Sequence, residues 1–488
     1  MRLSDILDGE MQLRNAAGRD PQIAGLTADS RRVARGFVFA ALPGAKQDGR
    51  SFVGEALRSG AAAVLAAPGL DLPAGIPYVE AANPRRSFAR AASRFAGPQP
   101  RIVAAVTGTS GKTSVASFTR QLWQTTGRPA ASLGTLGLVA PHTTRSGALT
   151  TPDPVSLHTD LAELAKAGVD HVAMEASSHG LDQCRLDGVK LAAAAFTNLS
   201  RDHLDYHATM AAYLAAKRRL FDTLLPPGAV AVLNADIPEF EALKAVCQTR
   251  HHRILSFGRN GNDLKLVDAA PLPHGQRLTL QAFGTTRTLD LPLAGTFQAM
   301  NMLAAVGLAI GGGVAPFAAL DAVANLEGVP GRLQLAGTTA NGAAVYVDYA
   351  HKPDALATVL AALRPHVTGR LHVLFGCGGD RDVGKRPLMG KIAVERADRV
   401  IVTDDNPRSE DPAAIRKAVL TGAPGAREIA PRDAAIRAAI EDLAAGDVLV
   451  IAGKGHERGQ IIGDITLPFD DLEQAQMALG LAAREGAA

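Results

Sequence analysis

Residues 102–115 read IVAAVTGTSGKTSV, an apolar run that passes through a glycine-bounded turn into a lysine and a threonine. The opening IVAAV is β-branched or small throughout, the pattern of a strand buried on both faces of a parallel sheet. After the turn, KTSVASFTRQLW at 112–123 has the apolar spacing of a helix. In a strand, glycine turn and helix, backbone N–H groups and the positive helix end hold phosphate oxygens. Lys112 would neutralise charge there, and Thr113 would offer its hydroxyl to a magnesium ion. The common spacing G-x-x-x-x-G-K-[ST] needs glycine at 106, where Val106 stands. Val106 instead completes the apolar strand, and Gly108 and Gly111 supply the turn.

The same kind of run recurs downstream as HVAMEAS at 171–177, AAAAFTN at 192–198 and AVAVLNA at 229–235, separated by helical stretches. That alternation predicts an α/β protein whose central domain is a P-loop-type, mostly parallel sheet. Alternating residues over 263–293 predict a few antiparallel strands attached to it. Strand and helix alternate again after VPGRLQ at 329–334, with AAVYVDYA, LHVLFGCGG, RVIVTDDN and DVLVIAGKG, which predicts a Rossmann-like C-terminal domain. A small α/β N-terminal domain precedes the linker GPQPR at 97–101. The expected domains are therefore 1–98, 99–332 and 333–488.

Composition narrows the function classes. The net charge of +3 over 488 residues, with Lys and Arg scattered, shows no nucleic-acid or membrane footprint. Three cysteines, Cys184, Cys247 and Cys377, lie far apart without C-x-x-C spacing, which fits inert thiols in a reducing cytoplasm rather than zinc ligands or disulfides. The longest uncharged run, 303–320, contains Gly311-Gly312-Gly313 and Pro316 and reads as helix, turn and helix, not as a membrane span. MRLSDILDGE lacks the apolar core of a secretion signal. A soluble, cytoplasmic enzyme is expected.

Further motifs follow the loop in order: MEASSHGL at 174–181, FTNLSRDHLDYH at 196–207, AAKRRLF at 215–221, GTFQAMN at 295–301, DYAHKPDAL at 348–356, GCGGDRDVGKRP at 376–387, DDNPR at 404–408 and GKGHE at 453–457. Together with DSRRV at 29–33 and Gly331-Arg332, this series resembles the Mur ligases over nearly the whole chain, and within them the UDP-N-acetylmuramoyl-tripeptide synthetases. The resemblance implies ATP as co-substrate, Mg2+, an acyl phosphate and attack on it by an amine. Such steps concentrate negative charge, so carboxylate or imidazole ligands and a phosphate lysine must converge at strand ends. Glu175 ends the run HVAME and His203 follows AAAAFTN, which puts both at the carboxyl edge of the sheet.

By resemblance, Lys112, Glu175, His203 and Lys217 are catalytic, and magnesium is held by Thr113, Glu175, His203 and, if carbamylated, Lys217. Residue chemistry alone reads Lys217 as one of three basic groups on an exposed helical face. The resemblance also implies ATP contacts from Gly108, Thr109, Ser110, Gly111, Lys112, Thr113, Asn301, Arg332 and Asp348. Gln298 departs from the commoner G-x-F-N pattern. The acceptor, a UDP-N-acetylmuramoyl-dipeptide, is implied to meet Ser30, Ala45, Lys46 and Gln47 at its UDP part. Thr150, Thr151, Ser177, Gln183 and Arg185 would lie along its sugar and peptide.

The third domain's strands end in GCGGDRD, TDDNPR and AGKGHE, which gathers Arg381, Asp405, Asn406, Pro407, Arg408, Gly453 and Glu457 at one edge. An arginine grips a carboxylate in parallel hydrogen bonds while a glutamate accepts from an ammonium, so a ligand with both groups fits. D-N-P-R marks family members that add meso-diaminopimelate, and lysine-adding relatives usually lack that arginine. Lysine-adding or other Mur-type ligases and folylpolyglutamate synthases remain close alternatives. A P-loop kinase or ATPase and a non-catalytic nucleotide-binding scaffold are alternatives of other classes.

Overall fold

In the computed structural model, residues 1–44 and 47–481 are described, and Ala45 and Lys46 lie outside them. The chain forms two compact units, Met1–Lys265 with Leu303–Leu320, and Leu266–Met302 with Asp321–Ala488. Among the described residues no helix is long and apolar enough to cross a membrane.

In the first unit, strands Gly25–Thr27, Phe37–Ala40, Ala63–Ala66 and Tyr78–Ala81 pair in parallel, and Met11–Arg14 closes the sheet antiparallel to the last. Helix Pro84–Ala96 starts with Asn83 accepting from the Arg86 amide and Pro84 at its first turn. Its Phe88 and Ala91 pack on Leu26, Val38 and Leu65. On its other side Arg86 and Arg90 reach Glu10, and Arg90 also reaches Asp8. Arg86 further lies 3.4 Å from Asp187, a buried carboxylate that also receives two hydrogen bonds from Arg219, at 2.7 and 2.8 Å.

Strand Ile102–Thr107 lies between His171–Glu175 and Leu191–Phe196, parallel to both. Val230–Asn234 and Arg253–Gly258 extend the parallel sheet on one side and Ala130–Gly134 on the other. Val106 is fully buried and pairs with Glu175, so the valine in the glycine position belongs to the strand, as expected. The expected strands are all present. The antiparallel edge Gly137–Ala140 and Thr143–Arg145 was not foreseen, because a four-residue and a three-residue strand carry too few alternations to register. The uncharged run resolves into the helices Thr296–Gly311 and Pro316–Asp321, with the triple glycine at the turn. All three cysteines are free and buried, and burial pushes the Cys247 thiol up to about 12.

In the second unit, the expected antiparallel strands appear as Gly275–Ala282 paired with Thr285–Leu291, with Leu264–Leu272 beside the first. The main sheet runs Gln334–Thr338, Ala344–Asp348, Val448–Ala452, Leu371–Phe375, Arg399–Val402, Arg427–Glu428, parallel except for the first strand. Pro353–Leu363, Lys385–Arg396 and Pro412–Leu420 cover one face. Arg432–Glu441 and Asp471–Ala478 cover the other, so the sheet is doubly wound. This leaves its carboxyl-edge loops open to ligand.

Beneath those loops Arg432 and Asp471, both 0% exposed, form a two-bonded ion pair at 2.7 Å, and Arg432 also donates to Asp404 O and Ala452 O. Removing Asp471 strands a guanidinium that cannot become neutral by losing its proton. Asp471→Ala should lower stability by about 3–5 kcal/mol. Urea denaturation, followed by a probe in the second unit, checks this.

Candidate active site

The loop after Ile102–Thr107 is held by the strand next to it. Gly108 has φ +145°, and a Cβ there would overlap Thr197 Oγ1. Thr197 Oγ1 donates to Ser110 O at 2.7 Å, Thr109 N to Asn198 O at 2.9 Å, and Ser110 N to Asn198 Oδ1 at 2.9 Å. FTN at 196–198 therefore clamps GTSG. Gly111, in the left-handed region at φ 86°, turns the chain into helix Lys112–Thr125, where Thr113 is buried. Lys112 Nζ donates to Gly108 O and Thr109 O, each at 2.9 Å.

Lys217 corrects the reading from residue chemistry. Helix Met210–Arg219 turns Tyr213, Ala216 and Lys217 inward, at spacings of three and four, while Arg218 stays outside against Asp222. Lys217 is 1% exposed, donates to Gly108 O at 2.6 Å and lies 4.4 Å from the centre of the Tyr213 ring. Among the described residues it makes no ion pair. Burial first, then the charge of Lys112, hold its ammonium well below the ordinary lysine range. Burial thus favours the neutral amine.

Glu175 ends strand His171–Glu175 at 2% exposure, accepting from Thr135 N at 2.7 Å and Thr135 Oγ1 at 3.3 Å. Its ladder partner is Val106, which places it beside the loop's entry. Thr150 Oγ1 lies 3.1 Å from Thr135 Oγ1, and Thr151 Oγ1 donates to Glu175 O and accepts from Ser177 N. Arg185 donates to Thr151 O and Gln183 Oε1, and Gln183 Nε2 to the Tyr206 hydroxyl. These five acceptor candidates thus form one hydrogen-bonded group. Ser30 begins the short helical turn Ser30–Arg32, and Gln47 is exposed.

His203 adopts φ 53° just before helix Leu204–His207. Its ring stands edge-on to His179 at 4.9 Å and 6.1 Å from Tyr213. His179 was not among the expected site residues, although SHG in MEASSHGL and DYH in the next motif contain this group of rings. Among the described residues no cluster of three or more His, Cys, Asp or Glu side chains could hold a metal. Glu175 nevertheless suits a cation: it is a buried carboxylate with neutral donors and no ion pair among the described residues. The Glu175 carboxylate and the Thr113 hydroxyl are oxygen donors of the kind a hard cation takes.

In the second unit, Asn301 Nδ2 donates to Gln298 Oε1 at 3.0 Å and Gln298 Nε2 to Arg332 O at 3.1 Å. Gln298, fully buried, therefore joins Asn301 to Arg332, which accounts for an amide at this position. The Arg332 guanidinium lies over the Tyr349 ring at 4.8 Å. Asp348 accepts from Leu333 N at 2.7 Å and Ala350 N at 2.8 Å.

At the carboxyl edge of the doubly wound sheet, Asn406 Nδ2 donates to Glu457 Oε2 at 2.9 Å. Asp405 is buried behind them, and burial holds its carboxyl above the usual range. Arg408, at φ 53°, donates from Nη1 to Gly379 O at 2.9 Å. Gly453 donates from its amide to Asp348 O, and the Pro407 carbonyl lies against Gly379. Arg381 is exposed and donates to Asp380 O, and among the described residues no hydrogen bond joins it to Asn406 or Glu457. Two features were missed: the hairpin Gly459–Ile462 with Ile465–Pro468, and Lys454. Lys454 lies inside GKGHE, but a lysine between glycines looks exposed until the hairpin covers it.

The family models for the Mur ligase middle domain, the Mur ligase glutamate ligase domain and the Mur ligase family catalytic domain match residues 106–309, 331–455 and 22–92. With the loop, the buried lysine and the two sheet edges in place, the chain belongs to the Mur ligase family. Among its relatives, a UDP-N-acetylmuramoyl-L-alanyl-D-glutamate--2,6-diaminopimelate ligase of Mesorhizobium japonicum is 54% identical over 98% of this chain and 99% of its own. One of the same name from Caulobacter vibrioides is 53% identical over 98% of each. A solved structure of that name is 36% identical, with TM-score 0.72 over 95% of this chain and 96% of that one. The MurF ligase of Thermotoga maritima in complex with ADP, 19% identical, shares the fold at TM-score 0.61, with 95% of this chain and 98% of that one covered.

Asp348 generates a pH signature. Burial pushes its carboxyl from 3.8 up to about 6 against the pull of Arg332, so the unfolded chain releases this proton at lower pH than the native one. Its contribution should be most favourable below pH 3.8 and decline as pH rises through about 6. Comparing urea midpoints of the native chain and Asp348→Asn across that window tests this: the variant should lose that decline.

Proposed function

We propose that this chain joins meso-diaminopimelate to UDP-N-acetylmuramoyl-L-alanyl-D-glutamate, converting ATP to ADP and phosphate, in cytoplasmic synthesis of a peptidoglycan precursor. The observation that carries this reading is Arg408 beside the Asn406–Glu457 cluster, in a chain 54% identical to an enzyme of that activity. Residues 1–98 would take the UDP part through Ser30 and 45–47, 99–332 most of the ATP site, and 333–488 the amino acid. Asn301, Arg332 and Asp348 would add to the nucleotide contacts.

A D-glutamyl carboxylate oxygen attacks the γ-phosphorus, and the bond to the β-phosphate oxygen breaks to release ADP. The amine of diaminopimelate, having lost its proton, attacks the acyl carbon, and the C–O bond breaks as phosphate leaves. Lys112 and the N–H groups of 108–113 hold the phosphate oxygens, while Thr150, Thr151, Ser177, Gln183 and Arg185 orient the acceptor. Thr113, Glu175, His203 and carbamylated Lys217 would hold magnesium, which supplies neutralisation of the phosphate and carboxylate charge. A neutral Lys217 amine suits that modification: its nitrogen adds to the carbon of CO2 and gives up a proton, which turns a neutral amine into an anionic oxygen ligand.

Phosphate release, measured with diaminopimelate or L-lysine and with or without the UDP-acceptor, tests this function. Turnover should need the acceptor and favour diaminopimelate. Faster turnover with L-lysine would sink the specificity, and acceptor-independent hydrolysis would favour a kinase or ATPase. Arg408→Ala, which loses a charge-assisted contact, should raise the KM for diaminopimelate about tenfold or more. Enzyme depleted of bicarbonate should lose activity and regain it in step with a 13C carbamate signal when labelled bicarbonate is added. Full activity without that signal would exclude the modification.

A further inference from the structure

Lys454 has no part in the steps above, yet it is 0% exposed at the centre of the amino-acid cluster. An ammonium has three protons and no acceptor. All three are placed here, on Asn406 Oδ1 at 3.1 Å, Glu457 Oε2 at 3.2 Å and Gly459 O at 2.6 Å. None is left for a ligand, so the residue acts through its neighbours.

Asn406 Oδ1 also accepts from Ile461 N at 3.0 Å. With a donor-only lysine on one end of the amide, Nδ2 must face Glu457 Oε2. Glu457 Oε2 thus takes two donors, while Oε1 accepts no hydrogen bond among the described residues. Asp405 Oδ1, 3.8 Å from Lys454 Nζ, is buried without a hydrogen-bond partner. Glu457 Oε1 therefore stays open to a ligand ammonium. Arg432 and Asp471 neutralise each other, and the Lys454 ammonium lies beside both of the other carboxylates, Asp405 and Glu457.

The third bond, to Gly459 O, ties down the hairpin. Gln460 Nε2 donates to Asp405 O at 2.7 Å, Arg408 N to Ile461 O at 3.0 Å, and Gly463 N to Arg408 O at 2.7 Å. The last two bonds hold Arg408 at a φ of 53°, which a side chain of its size rarely adopts. One lysine therefore connects both ends of the pocket.

We propose that Lys454 is the positioning residue of this pocket. By fixing the Asn406 amide, one oxygen of Glu457 and the hairpin that holds Arg408, it sets the ammonium-binding and carboxylate-binding groups apart and so selects an amino acid with a zwitterionic end. The inference rests on the pocket being the diaminopimelate site.

Steady-state kinetics on the full chain test it, with diaminopimelate, ATP and the UDP-acceptor varied in turn. Lys454→Met should raise the KM for diaminopimelate about tenfold or more and leave the other two KM values within about twofold. The Lys454→Met effect should shrink to less than about a third of its size in a Glu457→Gln background, because the two residues act as one unit. Lys454→Gln, which keeps two of the three N–H donors, is measured in parallel so that misfolding of the methionine variant leaves the question open to answer; it should show the same pattern at smaller amplitude. Equal rises in all three KM values, a loss confined to kcat, or additive effects in the double variant would overturn the inference alone. Wild-type enzyme that turns over no diaminopimelate would overturn the reading of the pocket and the inference with it.

Discussion

Two lysine side chains end on one carbonyl oxygen. Gly108 O accepts from Lys112 and from Lys217, and the turn that carries this oxygen is clamped by hydrogen bonds to Thr197 and Asn198. Two cations drawn to one neutral acceptor repel each other, and the arrangement persists only if one gives up its proton or anions arrive. Burial favours the first course at Lys217, and a phosphate-binding loop invites the second. The rest of the unit holds this tension in place. The strand before the loop lies between two parallel neighbours, the FTN segment clamps the turn, and Glu175 is anchored beside its entry.

The second unit handles charge differently. At its carboxyl edge the Asp405 and Glu457 carboxylates flank the buried Lys454, with the closed and neutral Arg432–Asp471 pair beneath. Arg408 stands on the same edge, so both signs of charge are presented there rather than one.

The apolar runs were legible because buried parallel strands leave nearly continuous records in sequence, and Val106 could be read as strand for that reason. The site was legible in part. Glu175, His203 and the DNPR loop sit at strand ends, where sheet topology puts them, so their placement follows from strand order. Lys217 was not, because composition shows three basic residues in a row and only the turn of the helix against Tyr213 decides which one faces inward. Gln298 looked like a departure from a pattern and is a buried connector. Lys454 escaped notice because the hairpin that buries it comes later in the chain. Arg381 lies in the expected loop, yet its hydrogen bond goes to a neighbouring carbonyl, a choice that strand order does not determine.

Asp187 joins two parts of the first unit that sequence keeps far apart. Its carboxylate lies 3.4 Å from Arg86 of the N-terminal helix and takes two hydrogen bonds from Arg219, two residues beyond the buried lysine. One buried carboxylate thus serves two helices, so the charge that steadies the helix of Lys217 also meets the helix that follows the N-terminal sheet.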